Sequence, residues 1–241
     1  MRYAVLGDVH SNISALEAVL KDARAVGVDR FLCVGDVVGY GAAPSQAIEM
    51  LREIDCGVVK GNHDAAVTGE LNPVCFNPMA REAVAWTRSQ VSEEDLDWLK
   101  ALPMVFHVEH ATVAHGTFDK PEHYKYVMAT EDADPSLDTQ PLPVCFVGHT
   151  HVPVSILRLR EDPDRTSYTL STLVDLGEAE KALCNVGSVG QPRDEIPAAA
   201  WGLFDATTQH LEIRRVDYDI QREADRIREA GLPQFLADRL F

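Results

Sequence analysis

No stretch of this chain comes near the roughly 18 consecutive apolar residues that a membrane-spanning helix requires. The apolar run 3–6 is too short for a signal peptide and leads straight into Gly7-Asp8. Cysteines are few: Cys33, Cys56, Cys75, Cys145 and Cys184, an odd count with no C-x-x-C pair. That pattern argues against a disulfide framework and for small buried hydrophobes in a reducing cytoplasm. Basic residues are also scarce, 22 against 38 acidic, for a formal net charge of −16. A field of that sign repels bulk nucleic acid and anionic membrane. It still admits a small phosphate ester where bound cations reverse the sign locally. Aromatics make up only 7% of the chain, and there is no internal repeat or low-complexity tract.

What is present suffices for a large core. The 241 residues are 46% hydrophobic, which fits one α/β domain spanning 1–241 ahead of two small ones. Apolar runs predict strands over 3–6, 31–34 and 56–59. Between them lie Ile13, Leu16, Val19 and Leu20 at helical spacing, capped by Ser11 or Asn12, and a second helix opened by Pro44. A β-α-β-α-β order implies parallel strands with right-handed crossovers. Helices are expected over 78–90 and after Ser92, then strands over 104–108, 112–114 and 144–147. Residues 117–142 are polar and proline-rich without periodicity, and read either as a loop or small insert over the site or as a surface loop. The second half predicts strands over 154–159, 168–173, 182–186, 199–204 and 210–216, read as hairpins of a second sheet. A helix over 220–230 and a last helical turn from Pro233 follow.

Five short segments end apolar runs with metal-binding residue types: Gly7-Asp8-Val9-His10, Gly35-Asp36, Gly61-Asn62-His63-Asp64, Ala114-His115-Gly116 and Gly148-His149-Thr150-His151. Singly, each has a plainer reading, a helix cap for the aspartates or a hydrogen-bonded core position for the histidines. Jointly they do not, because a motif of many parts in one order carries little false-positive risk. The carboxyl ends of parallel strands converge on one crevice, so distant donors can meet there. Residues i and i+2 on a strand share a face, which lets Asp8 with His10, and His149 with His151, aim together. Carboxylate, amide and imidazole donors without thiolate suit Mn, Fe, Ni, Zn or Mg. Seven donors are too many for one tetrahedral ion and suit two ions sharing one carboxylate.

These segments in this order resemble the calcineurin-like metallophosphoesterase superfamily. Asn185-Val186-Gly187-Ser188-Val189-Gly190-Gln191-Pro192-Arg193 looks like its small prokaryotic phosphodiesterase branch. The resemblance implies a fold of two packed mixed β-sheets flanked by helices, an α/β/β/α sandwich. It implies two divalent ions, Mn favoured. Asp8, His10, Asp36 and His151 would hold the first; Asp36, Asn62, His115 and His149 the second, with Asp36 bridging. It further implies a phosphodiesterase whose metal-bridging hydroxide attacks a small phosphodiester in line, a nucleotide among the candidates, with His63 near the leaving oxygen. One departure bears on His63. In the protein Ser/Thr phosphatase branch the Gly-Asp segment continues to an aspartate, which orients the motif histidine, and an arginine, which grips phosphate. Here those places hold Gly39 and Tyr40. An imidazole without that partner is a poorer general acid, so a diester with a good leaving group is favoured.

Asn12, Tyr40 and Arg193 are candidate substrate contacts. Each has a structural alternative: capping for Asn12, packing on its own domain for Tyr40, a surface ion pair for Arg193. Two further functional readings stay open: a phosphomonoesterase or nucleotide pyrophosphatase on the same site, and a non-catalytic metal-stabilised scaffold.

Overall fold

Strand β1 (Arg2–Leu6) alternates strictly: Tyr3 and Val5 enter one apolar cluster, Ala4 and Leu6 another. A strand buried on both faces belongs in the middle of a covered sheet. In a computed structural model describing residues 1–241, that sheet runs in the order β3 (Gly57–Val58), β2 (Arg30–Cys33), β1, β11 (Ala199–Asp205), β12 (His210–Val216), β9 (Leu173–Asp175). A second sheet runs β4 (Val105–His107), β5 (Thr112–Ala114), β6 (Val144–Val147), β10 (Ala179–Asn185), β7 (Val154–Leu159), β8 (Asp162–Thr169). Both are six-stranded and mixed: β1, β2 and β3 pair in parallel, as do β5, β6 and β10, while the other pairs are antiparallel.

Tyr3, Val5, Leu32, Val34, Phe146 and Phe204 fill the space between the sheets. Helices α1 (Ile13–Val26), α2 (Pro44–Glu53), α3 (Asn62–Thr68), α4 (Pro78–Gln90) and α5 (Glu93–Ala101) contribute to the cluster on the outer face of the first sheet. Helix α6 (Thr130–Thr139) covers the second sheet through Ala133 and Leu137, against Cys145, Val147, Ile156 and Leu183. Helices α7 (Ile220–Glu229) and α8 (Gln234–Asp238) join Tyr40 and α4 in a smaller cluster. The expected α/β/β/α sandwich is therefore the observed fold.

Local signals place the helix ends. Asn12 caps α1 by accepting the Ala15 N–H at 3.0 Å, and α1 stops at Gly27 in the left-handed region. Ser92 and Asp95 form a capping box at α5.

Three expectations differ from the structure. Strands β11 and β12 do not extend a second sheet: β11 pairs antiparallel with β1, so this hairpin completes the first. The expected strand over 168–173 is split, because the chain leaves β8 in one sheet and enters β9 in the other. Segment 117–142 is only partly a loop, since it contains α6. That helix buries just Ala133, Ser136 and Leu137 and carries Pro135 inside it, so its apolar period is too weak to read.

Candidate metal centre

The seven expected donors meet where the carboxyl ends of β1, β2, β3, β5 and β6 converge. Three groups of carboxylate oxygens and imidazole nitrogens each lie within 4.8 Å: Asp8, His10 and His151; His10, Asp36 and His63; Asp36, His115 and His149. Asn62 joins the third, its Oδ1 being 3.0 Å from His115 Nε2. All these residues are buried.

Backbone donors aim the carboxylates. The His149 N–H donates to Asp8 Oδ1 at 3.0 Å, and the His63 N–H donates to Asp36 Oδ1 at 2.8 Å. The other oxygen of Asp36 then lies 3.6 Å from His10 Nε2 and 3.4 Å from His115 Nε2, so one carboxylate faces both ends of the site. The close fit leaves no room beside Gly61, where a side chain would run into the Asp36 carboxylate. Asp8, His10, Asp36, His149 and His151 all take left-handed backbone angles, with φ from 39° to 70°. Non-glycine residues pay on the order of 1–3 kcal/mol each for such angles, and they concentrate at functional sites.

The donor chemistry calls for cations. His10 Nδ1 donates to the Val38 carbonyl at 3.1 Å, and His151 Nδ1 donates to the Gln191 carbonyl at 2.6 Å. Burial lowers both imidazoles well below their ordinary range, so both are neutral. Each Nε2 then carries a bare lone pair, and the two nitrogens stand 3.1 Å apart. Two lone pairs at that distance repel unless a positive ion lies between them. Donors around an ion at 2.0–2.2 Å sit about 3–3.5 Å from one another, which matches this spacing. At the other end, His149 Nδ1 stands 3.0 Å from His115 Nε2.

The charges are divided unevenly. Burial pushes Asp8 up to about 7. Burial would raise Asp36 too, but the imidazoles of His115 and His63 outweigh it and hold the carboxyl well below its usual range. Burial likewise pulls on His115, yet the charge and hydrogen bond of Asp36 hold it up, at about 9. His149 falls to about 3 and His63 to about 4, burial being the main cause in each.

His63 sits in an aromatic enclosure. Its ring centroid is 4.4 Å from Tyr40, 4.9 Å from His10 and 5.0 Å from Phe76. Its buried Nδ1 has no hydrogen-bond partner. Neighbouring Asp64 does not orient it. That carboxylate accepts the Gly61 N–H at 2.9 Å and the Val38 N–H at 3.2 Å, tying the start of α3 to the Asp36 loop.

The other candidates flank the donors. Tyr40 packs on His10 and His63. Arg193 lies over the Tyr40 ring, 5.8 Å from its centroid, and hydrogen-bonds Gln191. Asn12 is set apart: its Oδ1 caps α1, and its Nδ2 donates to the Gly190 carbonyl and to Tyr218 Oη. Every polar atom of that side chain has a protein partner.

The segment 185–193 acts as scaffolding. Asn185 donates to the Gly148 carbonyl at 2.6 Å and to Thr150 Oγ1 at 2.9 Å, pinning the turn that carries His149 and His151. Ser188 donates to the Asp8 carbonyl at 2.8 Å. Sequence reasoning missed Phe76, Tyr124 and Tyr126. Tyr126 stacks on His149 with centroids 3.8 Å apart, and Tyr124 meets His115 edge-on at 6.0 Å. Both tyrosines come from segment 117–142, ahead of α6.

The model of the calcineurin-like phosphoesterase superfamily domain matches residues 1–209. An uncharacterized protein of Methanocaldococcus jannaschii is 35% identical over 242 residues, covering 99% of this chain and 96% of its own. A metallophosphoesterase crystal structure from Sphaerobacter thermophilus is 37% identical with a TM-score of 0.86, over 100% of this chain and 98% of that one. A hypothetical protein from Pyrococcus horikoshii shares the fold at a TM-score of 0.79 and 18% identity, covering 100% of this chain and 97% of its own.

Proposed function

This chain belongs to the calcineurin-like phosphoesterase superfamily, a family of metal-dependent phosphoester hydrolases, and we propose that its substrates are small phosphodiesters. The proposal treats residues 1–241 as one metallophosphoesterase domain. Asp8, His10, Asp36 and His151 would hold one divalent ion, and Asp36, Asn62, His115 and His149 a second. Oxygen and nitrogen donors without thiolate support Mn, with Fe, Ni, Zn and Mg as alternatives. The observation that supports this assignment most is the facing pair of lone pairs on His10 and His151, 3.1 Å apart.

When bound, such ions polarise phosphoryl oxygens and lower the pKa of water. The residues do the rest. Backbone N–H groups hold the Asp8 and Asp36 carboxylates in place. Arg193 brings positive charge to the mouth of the site for a phosphate oxygen. Tyr40 and Phe76 fix the His63 ring. Burial lowers the His63 imidazole to about 4 and its Nδ1 has no partner to orient it, so the ring would offer the departing oxygen a hydrogen bond rather than a full proton. Weak proton donation supports diesters with good leaving groups over alkyl monoesters.

The test compares bis-p-nitrophenyl phosphate with p-nitrophenyl phosphate after chelation and reloading with Mn, Ni or Mg. The diester is expected to lead in kcat/KM by about tenfold or more, or about 1.4 kcal/mol in the barrier. A monoester lead of that size would make the protein a phosphomonoesterase. No turnover with any metal would return it to a scaffold. Cysteines that are all free, three of them buried, support a reducing cytoplasm as its location. No helix is long and apolar enough to cross a membrane.

A further inference from the structure

Two pockets that share Tyr126 form two arms beside the candidate metal centre. One, of about 590 Å³, passes over Asn62, His63 and Phe76. The other, of about 680 Å³, is lined by Thr150, the residue between His149 and His151, and by Val152, Val154 and Ile156. Tyr126 lines both arms while stacked on His149.

The second arm is chemically unlike the rest of the surface. Nine of its 12 lining residues are hydrophobic, and Arg193 is its one charged group. The chain has 38 acidic residues, yet none lines this arm. Met128, Tyr168 and Leu170 stand on its rim, each more than half exposed. Single exposed apolar residues need no explanation, but a continuous apolar groove marks a binding surface.

We propose that this arm binds an apolar alcohol substituent of the substrate, so that the enzyme selects phosphodiesters carrying a hydrocarbon or aryl group. The inference rests on the phosphodiesterase reading above. Three observations specify the occupant. The groove adjoins the cleft, because Tyr126 lines both while stacked on His149. Arg193 stands in its wall and packs on Tyr40 beside His63, which places positive charge where a phosphate would enter. Apolar walls with few polar groups are the usual form of a small-molecule pocket.

Methyl and hexyl p-nitrophenyl phosphate share a leaving group and differ only in what the groove would hold. With the Mn-loaded full-length protein, kcat/KM for the hexyl ester is expected to exceed that for the methyl ester by about tenfold or more. In Leu170→Asp and in Tyr168→Asp the ratio is expected to fall towards one. Both positions are exposed, so neither change threatens folding. Equal rates for the two esters in the wild type would overturn the proposal while leaving the phosphodiesterase reading intact. No turnover of either ester would bring down both. An unchanged ratio in both variants, together with loss of a dimer by light scattering, would assign the groove to a second copy and also overturn it.

Discussion

A methyl group on Gly39 would stand 2.5 Å from Nδ1 of His63. Gly39 also sits at φ +92°, where side chains are strained. In the Ser/Thr phosphatase branch this is the place of the aspartate that orients the histidine. Here the imidazole itself fills the space that a carboxylate would need. Gly39→Asp is therefore expected to displace His63 rather than orient it. Diester kcat/KM should drop by about tenfold or more, about 1.4 kcal/mol, with no gain on monoesters. A rise in monoester turnover would show that the pair can be rebuilt and that this steric reading is wrong.

Removing the His63 ring separates chemistry from metal binding. His63→Ala is expected to keep its metal while losing about 10²-fold or more in kcat, the usual size of a lost proton-transfer or leaving-group contact. Asp36→Asn should lose both, because Asp36 faces donors at both ends of the site. Elemental analysis of the dialysed proteins, paired with steady-state rates, checks this. Metal loss from His63→Ala would move that residue into the ligand set.

Chelation should destabilise the protein. Without a cation the neutral nitrogens of His10 and His151 face each other at 3.1 Å. A metal present at about 100 times its Kd adds about 2.7 kcal/mol. For a chain of this size that is a Tm shift of about 5–10 °C. Differential scanning calorimetry with chelator, then with Mn restored, measures it. An unchanged Tm would argue against a metal held by these donors.

Away from the site, Lys60 and Glu70 give a pH dependence of known sign. Nearly buried Lys60 Nζ donates at 2.9 Å to both Glu70 oxygens and to the Lys100 carbonyl. Partial burial pushes the Glu70 carboxyl up, but hydrogen bonds from Lys60 and Thr68 outweigh it and leave it below its ordinary 4.5. A depressed folded pKa adds stability above the unfolded value and loses it as pH falls through the folded one. Glu70→Gln should therefore cost about 1 kcal/mol or less at pH 7, since Glu70 is half-exposed and screened. The gap between the two proteins should close as pH drops below 4.5. A gap that widens in acid would reverse the assignment. Urea unfolding at several pH values decides.

Residue order alone was enough to pick out the side chains that the fold gathers into one cluster. Asp8, Asp36, Asn62, His115 and His149 each follow an apolar strand closely, and both donor type and strand period are local properties. The same holds for the Asn12 cap, the left-handed stop at Gly27 and the Ser92 box. Packing settled what local pattern could not. The partner of 199–205 is β1, nearly two hundred residues earlier, and strand pairing of that range depends on which faces are buried together. Helix α6 was hidden because its buried face is three residues wide. The aromatic wall of Tyr40, Phe76 and Tyr126 around His63 and His149 comes from three separate stretches of chain, so no window of sequence contains it. That His63 fills the space beside Gly39, instead of waiting there for a partner, emerged only once α3 was set against the Asp36 loop. Contact between distant segments is a property of the folded packing, and close packing leaves each pair one distance to adopt.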